Sequence, residues 1–360
     1  MVSAAGDGAY MARALELARR GMATTHPNPR VGCVIVRGDR VVGEGYHQRA
    51  GEPHAERLAL LQAGGAARGA TAYVTLEPCC HTGRTPPCTD VLLAAGIARV
   101  VAAMEDPDTR VRGRGFAALR TAGVAVDVGL MEGEAARLNR GFISRAVRAR
   151  PFVVAKAGIS LDGRTALTSG ESQWITGPAA RADVQRLRAV MSAVMTGTGT
   201  IRKDDPRLTV HEGTPRQPLR VVVTSSLAIP SAARILAGDA GLMVLTTTDG
   251  PHGDRLRASG AEVVAVGGAP GRVDLTAGLR ALADRGVNDV LVEAGPTLLA
   301  GLLDERLIDE LRLYVAPTLL GNGRPLADFT LAKLSGAGAW RYDEVRSIGR
   351  DLRLILTPET

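Results

Sequence analysis

Two stretches decide how this 360-residue chain is read: His54-Ala55-Glu56, and Pro78-Cys79-Cys80-His81-Thr82-Gly83-Arg84-Thr85-Pro86-Pro87-Cys88. Together they hold one imidazole and two well-separated thiols, with a carboxylate close by. A catalytic zinc needs three protein ligands and one open position for water. His54, Cys79 and Cys88 supply a donor set that suits zinc among the common metals. Two thiolates offset the charge of the ion, and water bound there ionises near neutral pH. Glu56 is the natural proton carrier beside it. Residues two apart diverge in a regular helix, so His54 and Glu56 converge only at an irregular first turn. Pro53 is consistent with a helix start at that point. Cys88 is read as opening a second helix, where the N-terminal dipole favours a thiolate.

Outward from these stretches, apolar periodicity alternates between helical and strand-like segments, an α/β pattern. Tyr10–Arg20 reads as a helix, followed by strands at about 31–37 and 40–47. His54–Gln62 is a helix closed by Gly64-Gly65. Next come a strand at 71–76, a helix at about 88–95 and strands near 99–104 and 124–130. That order fits one sheet covered by helices on both faces. The charged run Arg145–Pro151 ends in a proline that opens a new strand, which divides the chain into residues 1–148 and 149–360. In the second part, strand candidates lie at about 152–158, 192–197, 219–224, 242–247, 262–266, 289–293, 311–316 and 352–357. Short helices between Val-rich strands favour a largely parallel, doubly wound sheet.

Composition narrows the partners. The formal net charge is +7, and most of the excess falls in the first 150 residues, where 20 Arg face 14 acids. Such a surplus suits nucleic acid or a phosphorylated small molecule. Aromatic residues are only 3% of the chain, too few for base-stacking platforms, which favours the small molecule. No apolar run is long enough for a membrane span, and no signal-peptide pattern opens the chain. Three of the four cysteines cluster within ten residues, which in a reducing compartment points to metal or catalysis rather than disulfides. A cytoplasmic protein is expected. Cys33, in an apolar strand, reads as a small core residue; His26 reads as a turn residue, His252 as solvated, and Glu77 as a holder of its loop.

The pattern matches the nucleobase-deaminase signature H-x-E…P-C-x-x-C, except that eight residues separate the cysteines. With His26-Pro27-Asn28-Pro29-Arg30-Val31-Gly32 ahead and Gly43-Glu44-Gly45-Tyr46-His47 between, the first part resembles the deaminase domain of the bifunctional deaminase/reductase family of riboflavin biosynthesis. The resemblance implies a cytidine-deaminase-like αβα sandwich, with Asn28, His47 and His81 meeting the pyrimidine or its phosphate.

The second part has no GxGxxG after a strand. Glu293-Ala294-Gly295-Pro296-Thr297-Leu298-Leu299-Ala300-Gly301 does read as strand end, glycine turn and helix, a place for a phosphate. Residues 156–166, 169–177, 196–210 and 292–303 resemble the dihydrofolate-reductase-like domain of the same family. That likeness implies NADPH contacts at Gly158, Trp174, Thr200, Asp204, Ser225, Gly295, Pro296, Thr297, Leu298, Leu299, Ala300 and Gly301. Ser172, Arg188, Leu208 and Glu293 would meet the substrate. The reaction implied is hydride delivery to the ribosyl carbon in its open, imine-like form. Lys156 and Asp204 are the ionisable groups for proton handling. The resemblance also implies an Arg that holds the substrate phosphate after residues 208–210, where this chain has His211, charged only below about pH 6.5; either Arg207 nearby takes over, or phosphate binding is weaker and pH-dependent. The family likeness also implies a homo-oligomer.

Two other readings stay open at this point. One is a deaminase of bases in RNA, which requires steeply salt-dependent RNA affinity. The other is a non-catalytic zinc-stabilised binding protein, in which Cys80 or His81 closes the fourth metal position.

Overall fold

The structure is a computed structural model that describes residues 4–81, 86–210 and 214–359. The chain divides into two compact units, Met1–Ala149 and Arg150–Thr360.

In the first unit, β1 (Gly32–Arg37) is buried on both faces: Cys33 and Ile35 point into one apolar layer, Val34 and Val36 into the other. It pairs antiparallel with β2 (Arg40–Tyr46) and β3 (Thr71–Val74); β4 (Arg99–Ala102) and β5 (Ala125–Val128) continue in parallel, giving the order β2-β1-β3-β4-β5. The Cys33 face packs on α2 (Ala55–Ala63), α3 (Cys88–Ala94) and α4 (Arg114–Thr121). The Val34 face packs on α1 (Ala4–Arg19), α5 (Glu132–Leu138) and α6 (Arg140–Arg148). Helices α4 to α6 are additions to the sequence reading. The run expected to mark the boundary is the last turn of α6, whose Phe142 anchors it to the core.

Two glycines set the height of α2 above the sheet. A β-carbon on Gly43 would stand 2.1 Å from the Ala59 carbonyl, and one on Gly45 2.3 Å from that of Ala55. The helix backbone therefore lies directly on β2, and its first turn carries Glu56. Gly45→Ala forces the two apart. Overpacking of this kind costs about 1–3 kcal/mol, so the urea midpoint is expected to drop and zinc to be lost faster to a chelator. An unchanged midpoint with full zinc retention would show that the close approach is not needed.

The second unit is built on a nine-stranded sheet. Its strands are β6 (Phe152–Ser160), β8 (Ala193–Gly197), β9 (Leu219–Val223), β10 (Leu242–Thr246), β11 (Ala261–Ala265), β14 (Asp289–Val292), β15 (Glu310–Ala316), β17 (Trp340–Ile348) and β18 (Asp351–Pro358). Short ladders join β7 (Arg164–Ala166) to β16 (Arg324–Pro325) and β12 (Gly268–Ala269) to β13 (Arg272–Val273). The main order is β11-β10-β9-β8-β14-β6-β15-β18-β17, parallel as far as β15 and antiparallel beyond it. Crossovers run through α7 (Pro178–Val190), α8 (Thr198–Asp204), α9 (Pro251–Ala258), α10 (Leu275–Asp284) and α11 (Pro296–Asp304). His252, expected on a loop, is exposed in the first turn of α9. Strand β17 escaped the sequence reading because it is an edge strand with charged and apolar residues interleaved and mostly exposed. Among the described residues, no helix is long and apolar enough to cross a membrane.

Candidate active sites

The metal-ligating atoms of His54, Cys79 and Cys88 all lie within 4.8 Å of one another. His54 stands just ahead of α2 in an extended conformation, and Cys88 is the first residue of α3. His54 Nδ1 lies 3.2 Å from Cys88 Sγ and 3.6 Å from Cys79 Sγ. Bond lengths of about 2.0–2.1 Å to nitrogen and 2.3 Å to sulfur place tetrahedral ligand atoms roughly 3.6 Å apart, so the three residues fit zinc. Cys79 is held well below the ordinary thiol range, first by its hydrogen bond with Cys88, and the same contact pushes Cys88 up. The two sulfurs compete for one proton, a conflict that a divalent cation between them removes. Cys80 is not part of this cluster. Cys80→Ser is accordingly expected to leave zinc at one per chain by metal analysis; a fall in zinc would mean that Cys80 closes the site.

Glu56 is buried, and burial pushes its carboxyl above the ordinary range, with Cys79 adding to the effect. Its Oε2 is buried without a hydrogen-bond partner. An orphaned carboxylate oxygen in a cleft is costly unless something fills it. The cleft, about 540 Å³, is also lined by Asn28, His47 and His81. His47 lies 3.2 Å from the Pro53 carbonyl through Nδ1, and 3.1 Å from the Asn28 amide through Nε2. Donation from Nδ1 and acceptance at Nε2 require the neutral imidazole, and burial lowers the affinity of His47 for a second proton. The Nδ1 of His81 is likewise buried without a partner.

Glu77 has a structural task. Its carboxylate accepts from the backbone N–H groups of Asp106, Gly113, Gly115 and Phe116, and so ties the 106–113 loop to the start of α4. That loop brings Asp106, Asp108 and Arg110 to the cleft, and α6 brings Arg145. The sequence reading missed all four. Burial raises Asp106 to about 7, and Arg110 donates to both oxygens of Asp108. Their signal was positional: an acidic loop at the carboxyl end of β4, where open α/β sheets bind ligands. Cys33 is fully buried in β1, and burial pushes its thiol well up. His26 Nε2 lies 3.0 Å from the Arg30 guanidinium in the turn after α1.

In the second unit, a cleft of about 1830 Å³ opens at the carboxyl ends of the parallel strands. Glu293 follows β14, and its carboxylate accepts from Arg188 at 2.7 and 2.9 Å and from Lys156 at 3.4 Å. Burial alone would raise its pKa, but Lys156 and Arg188 outweigh this and hold it below the usual carboxylate range. Gly158, Ser172, Thr200, Asp204, Arg207, Leu208 and Ser225 line the same cleft. Asp204 is exposed at the end of α8, while Asp205 accepts from the Arg234 N–H at 2.7 Å. Trp174 is 66% exposed under the Arg181 guanidinium, 4.5 Å from the ring centre, which makes it a wall of the cleft rather than core.

The helix starts at Thr198 and Pro296 meet here: a β-carbon on Gly295 would come 3.8 Å from Thr200 Oγ1 and one on Gly197 3.8 Å from Leu298. First-turn N–H groups have no partner within a helix, and Thr198 Oγ1 is buried without one. This cradle fits the phosphates of a dinucleotide. Gly295, Pro296, Thr297, Leu298, Ala300 and Gly301 line the cleft, but Leu299 is placed in the core beneath it. Side chains one residue apart on a helix point about 100° from each other, so a motif taken as a block overreaches at that position. His211 lies outside the described residues.

Comparison with known proteins gives two family matches: the cytidine and deoxycytidylate deaminase zinc-binding region over residues 5–104, and the RibD C-terminal domain over 151–354. The riboflavin biosynthesis protein RibD of Escherichia coli (strain K12) is 48% identical, covering 97% of this chain and 99% of its own. That of Haemophilus influenzae is 43% identical over 98% of both. Among solved structures, Acinetobacter baumannii RibD matches with a TM-score of 0.92 at 42% identity over 99% of both chains. The deaminase/reductase of Thermotoga maritima matches with a TM-score of 0.88 at 33% identity over 99% of both.

Proposed function

The chain belongs to the RibD family of riboflavin-biosynthesis proteins, and from that premise we propose how its residues divide two consecutive reactions. It is a zinc-dependent deaminase and a reductase of the NADPH-using type. The observation that carries the first activity is the unpartnered, buried Glu56 oxygen beside the donor set of His54, Cys79 and Cys88.

The substrate of the first step is a diamino-ribosylamino-pyrimidinone 5′-phosphate. Zinc, when bound, lowers the pKa of a water molecule toward neutrality. Glu56 would take one proton from that water and give it to the ring nitrogen as the oxygen bonds to the amino-bearing carbon. It would then take the second proton from the new hydroxyl and give it to the amino group, so that the C–N bond breaks, the carbonyl forms and ammonia leaves. Asn28 and His47, locked to each other, present fixed polar atoms to the pyrimidine edge, and His81 offers its free Nδ1.

In the second step the deaminated product loses its ribosyl ring. NADPH, when bound, supplies the hydride, held along Gly158, Trp174, Thr200, Ser225 and the start of α11. Opening the ribose breaks the bond between C1 and the ring oxygen, with a proton gained at that oxygen and the N–H proton lost from the amine; the resulting C=N bond then takes hydride at carbon and one proton at nitrogen. Lys156 is the donor for that proton, held in place by its ion pair with Glu293. Asp204, exposed at the cleft wall, serves cofactor or substrate positioning. Ser172, Arg188, Arg207 and Leu208 shape the substrate end. The free edge of β17, with Tyr342 and Val345 each 61% exposed, is the place for a second copy in a cytoplasmic homo-oligomer.

The order of steps is tested by supplying the deaminated phosphoribosylamino-pyrimidine directly. NADPH oxidation without any ammonia is expected. Oxidation of NADPH with the diamino compound while ammonia release is blocked would reverse the order.

A further inference from the structure

The hairpin that joins β17 to β18 turns at Gly349 and Arg350, outside the lining of the reductase cleft. Its turn lies against the start of α7: Gly349 has φ +62°, and a β-carbon there would stand 2.9 Å from the Ala179 β-carbon. Two side chains reach from this hairpin into the segment 172–177, which brings Ser172 and Trp174 to the cleft wall. The Asp351 carboxylate accepts from the Gly177 N–H at 2.7 Å, and Arg350 Nη2 donates to the Ile175 carbonyl at 2.9 Å. Gly177 leaves little spare room, since a β-carbon on it would come 3.3 Å from Asp351 Oδ2 and 3.5 Å from Arg350.

Trp174 has few other supports. Arg181 of α7 lies over its exposed ring and also donates to the Thr176 carbonyl at 2.7 Å. Thr176 in turn rests on β6, where a β-carbon on Gly158 would come 3.2 Å from its methyl group. Among the described residues, the hydrogen bonds that tie 173–177 to other elements come from Arg181, Arg350 and Asp351. Gly177 is the N-cap of α7 and has no side chain to cap with. Asp351 supplies a carboxylate from a distant strand instead, and a negative charge at a helix start is favoured by the dipole. The Asp351 side chain is fully buried; its Oδ1 has no hydrogen-bond partner and lies 3.6 Å from Arg350 Nε. A buried charge with one loose counter-ion is costly. Here the cost is offset at the start of α7, the helix that also presents Arg181 to Trp174 and Arg188 to Glu293.

We propose that Asp351 and Arg350 are positioning residues of the reductase: from outside the cleft they fix the segment 174–177, and with it the Trp174 wall, where NADPH binds. This rests on the reductase reading given above, in which Trp174 contacts the cofactor. Because neither residue lines the cleft, their effect is read in NADPH affinity and in the freedom of the Trp174 ring, not in the rate of hydride transfer.

The chain has two tryptophans, and Trp340→Phe leaves Trp174 as the one that fluoresces. In that parent, full-length, zinc-loaded Asp351→Ala, Asp351→Asn and Arg350→Ala variants are compared. NADPH oxidation with the deaminated substrate, NADPH binding, and Trp174 anisotropy without cofactor are measured. Both alanine variants are expected to raise the KM for NADPH about fivefold, the size of one lost hydrogen bond, with kcat close to the parent and a lower anisotropy. Asp351→Asn keeps an oxygen for the Gly177 N–H and recovers most of the loss. Arg350 is exposed, so Arg350→Ala carries the test even where Asp351→Ala lowers the urea midpoint of its unit. Unchanged NADPH affinity and anisotropy in the alanine variants overturns the inference and leaves the reductase reading standing. A fall in kcat and stability at unchanged NADPH affinity also overturns it, because the hairpin then supports only the fold. If anisotropy falls in the variants but the parent neither binds nor oxidises NADPH, the hold on Trp174 stands and the reductase reading falls.

Discussion

Glu56→Gln is expected to cut ammonia release by about 10³-fold, within the 10²–10⁴ range of general acid–base catalysis, while zinc stays at one per chain. Glutamine has the same shape and the same buried position but cannot accept a proton. Glu56 makes no side-chain contact that would hold the fold through Oε2, so the urea midpoint should not fall. The variant should still oxidise NADPH when given the deaminated intermediate, because Glu56 and Glu293 belong to different units. Ammonia release within tenfold of wild type, with zinc bound, would remove Glu56 from the chemistry.

Glu293→Gln should damage the reductase and the stability of its unit together. Glu293 is the shared anion of Lys156 and Arg188, and removing one member of a buried charge set costs about 3–5 kcal/mol. Glutamine retains some of the hydrogen bonds, so the lower end applies. NADPH oxidation is expected to fall by about 10²-fold or more, and the urea transition of the reductase unit to shift downward. Adding Lys156→Met removes one orphaned cation and should recover part of the stability but none of the activity. That split separates a charge that organises the site from one that merely supports the fold. Recovery of activity in the double variant would show that Lys156 is not the proton donor.

The zinc-site residues were legible in the sequence because ligand chemistry is sparse: few residue types bind zinc, and Pro53 announces the helix start beside His54. The parallel strands were equally legible, since strands buried on both faces are continuous apolar runs. What escaped depends on spatial neighbours. Asp106 and Arg145 meet only because β4 and α6 end at the same cleft. Leu299 was assigned to the cofactor as part of a block, although its neighbours on α11 face the cleft and it faces the core.

The central claim is that one chain performs both steps in sequence. Purified, zinc-loaded protein is given the diamino-ribosylamino-pyrimidinone 5′-phosphate and NADPH, and ammonia and NADPH are followed separately. Ammonia should appear first and NADPH oxidation should follow it, one for one, with both lost in Glu56→Gln. No ammonia from fully zinc-loaded protein would contradict the claim and make His54, Cys79 and Cys88 a structural metal site.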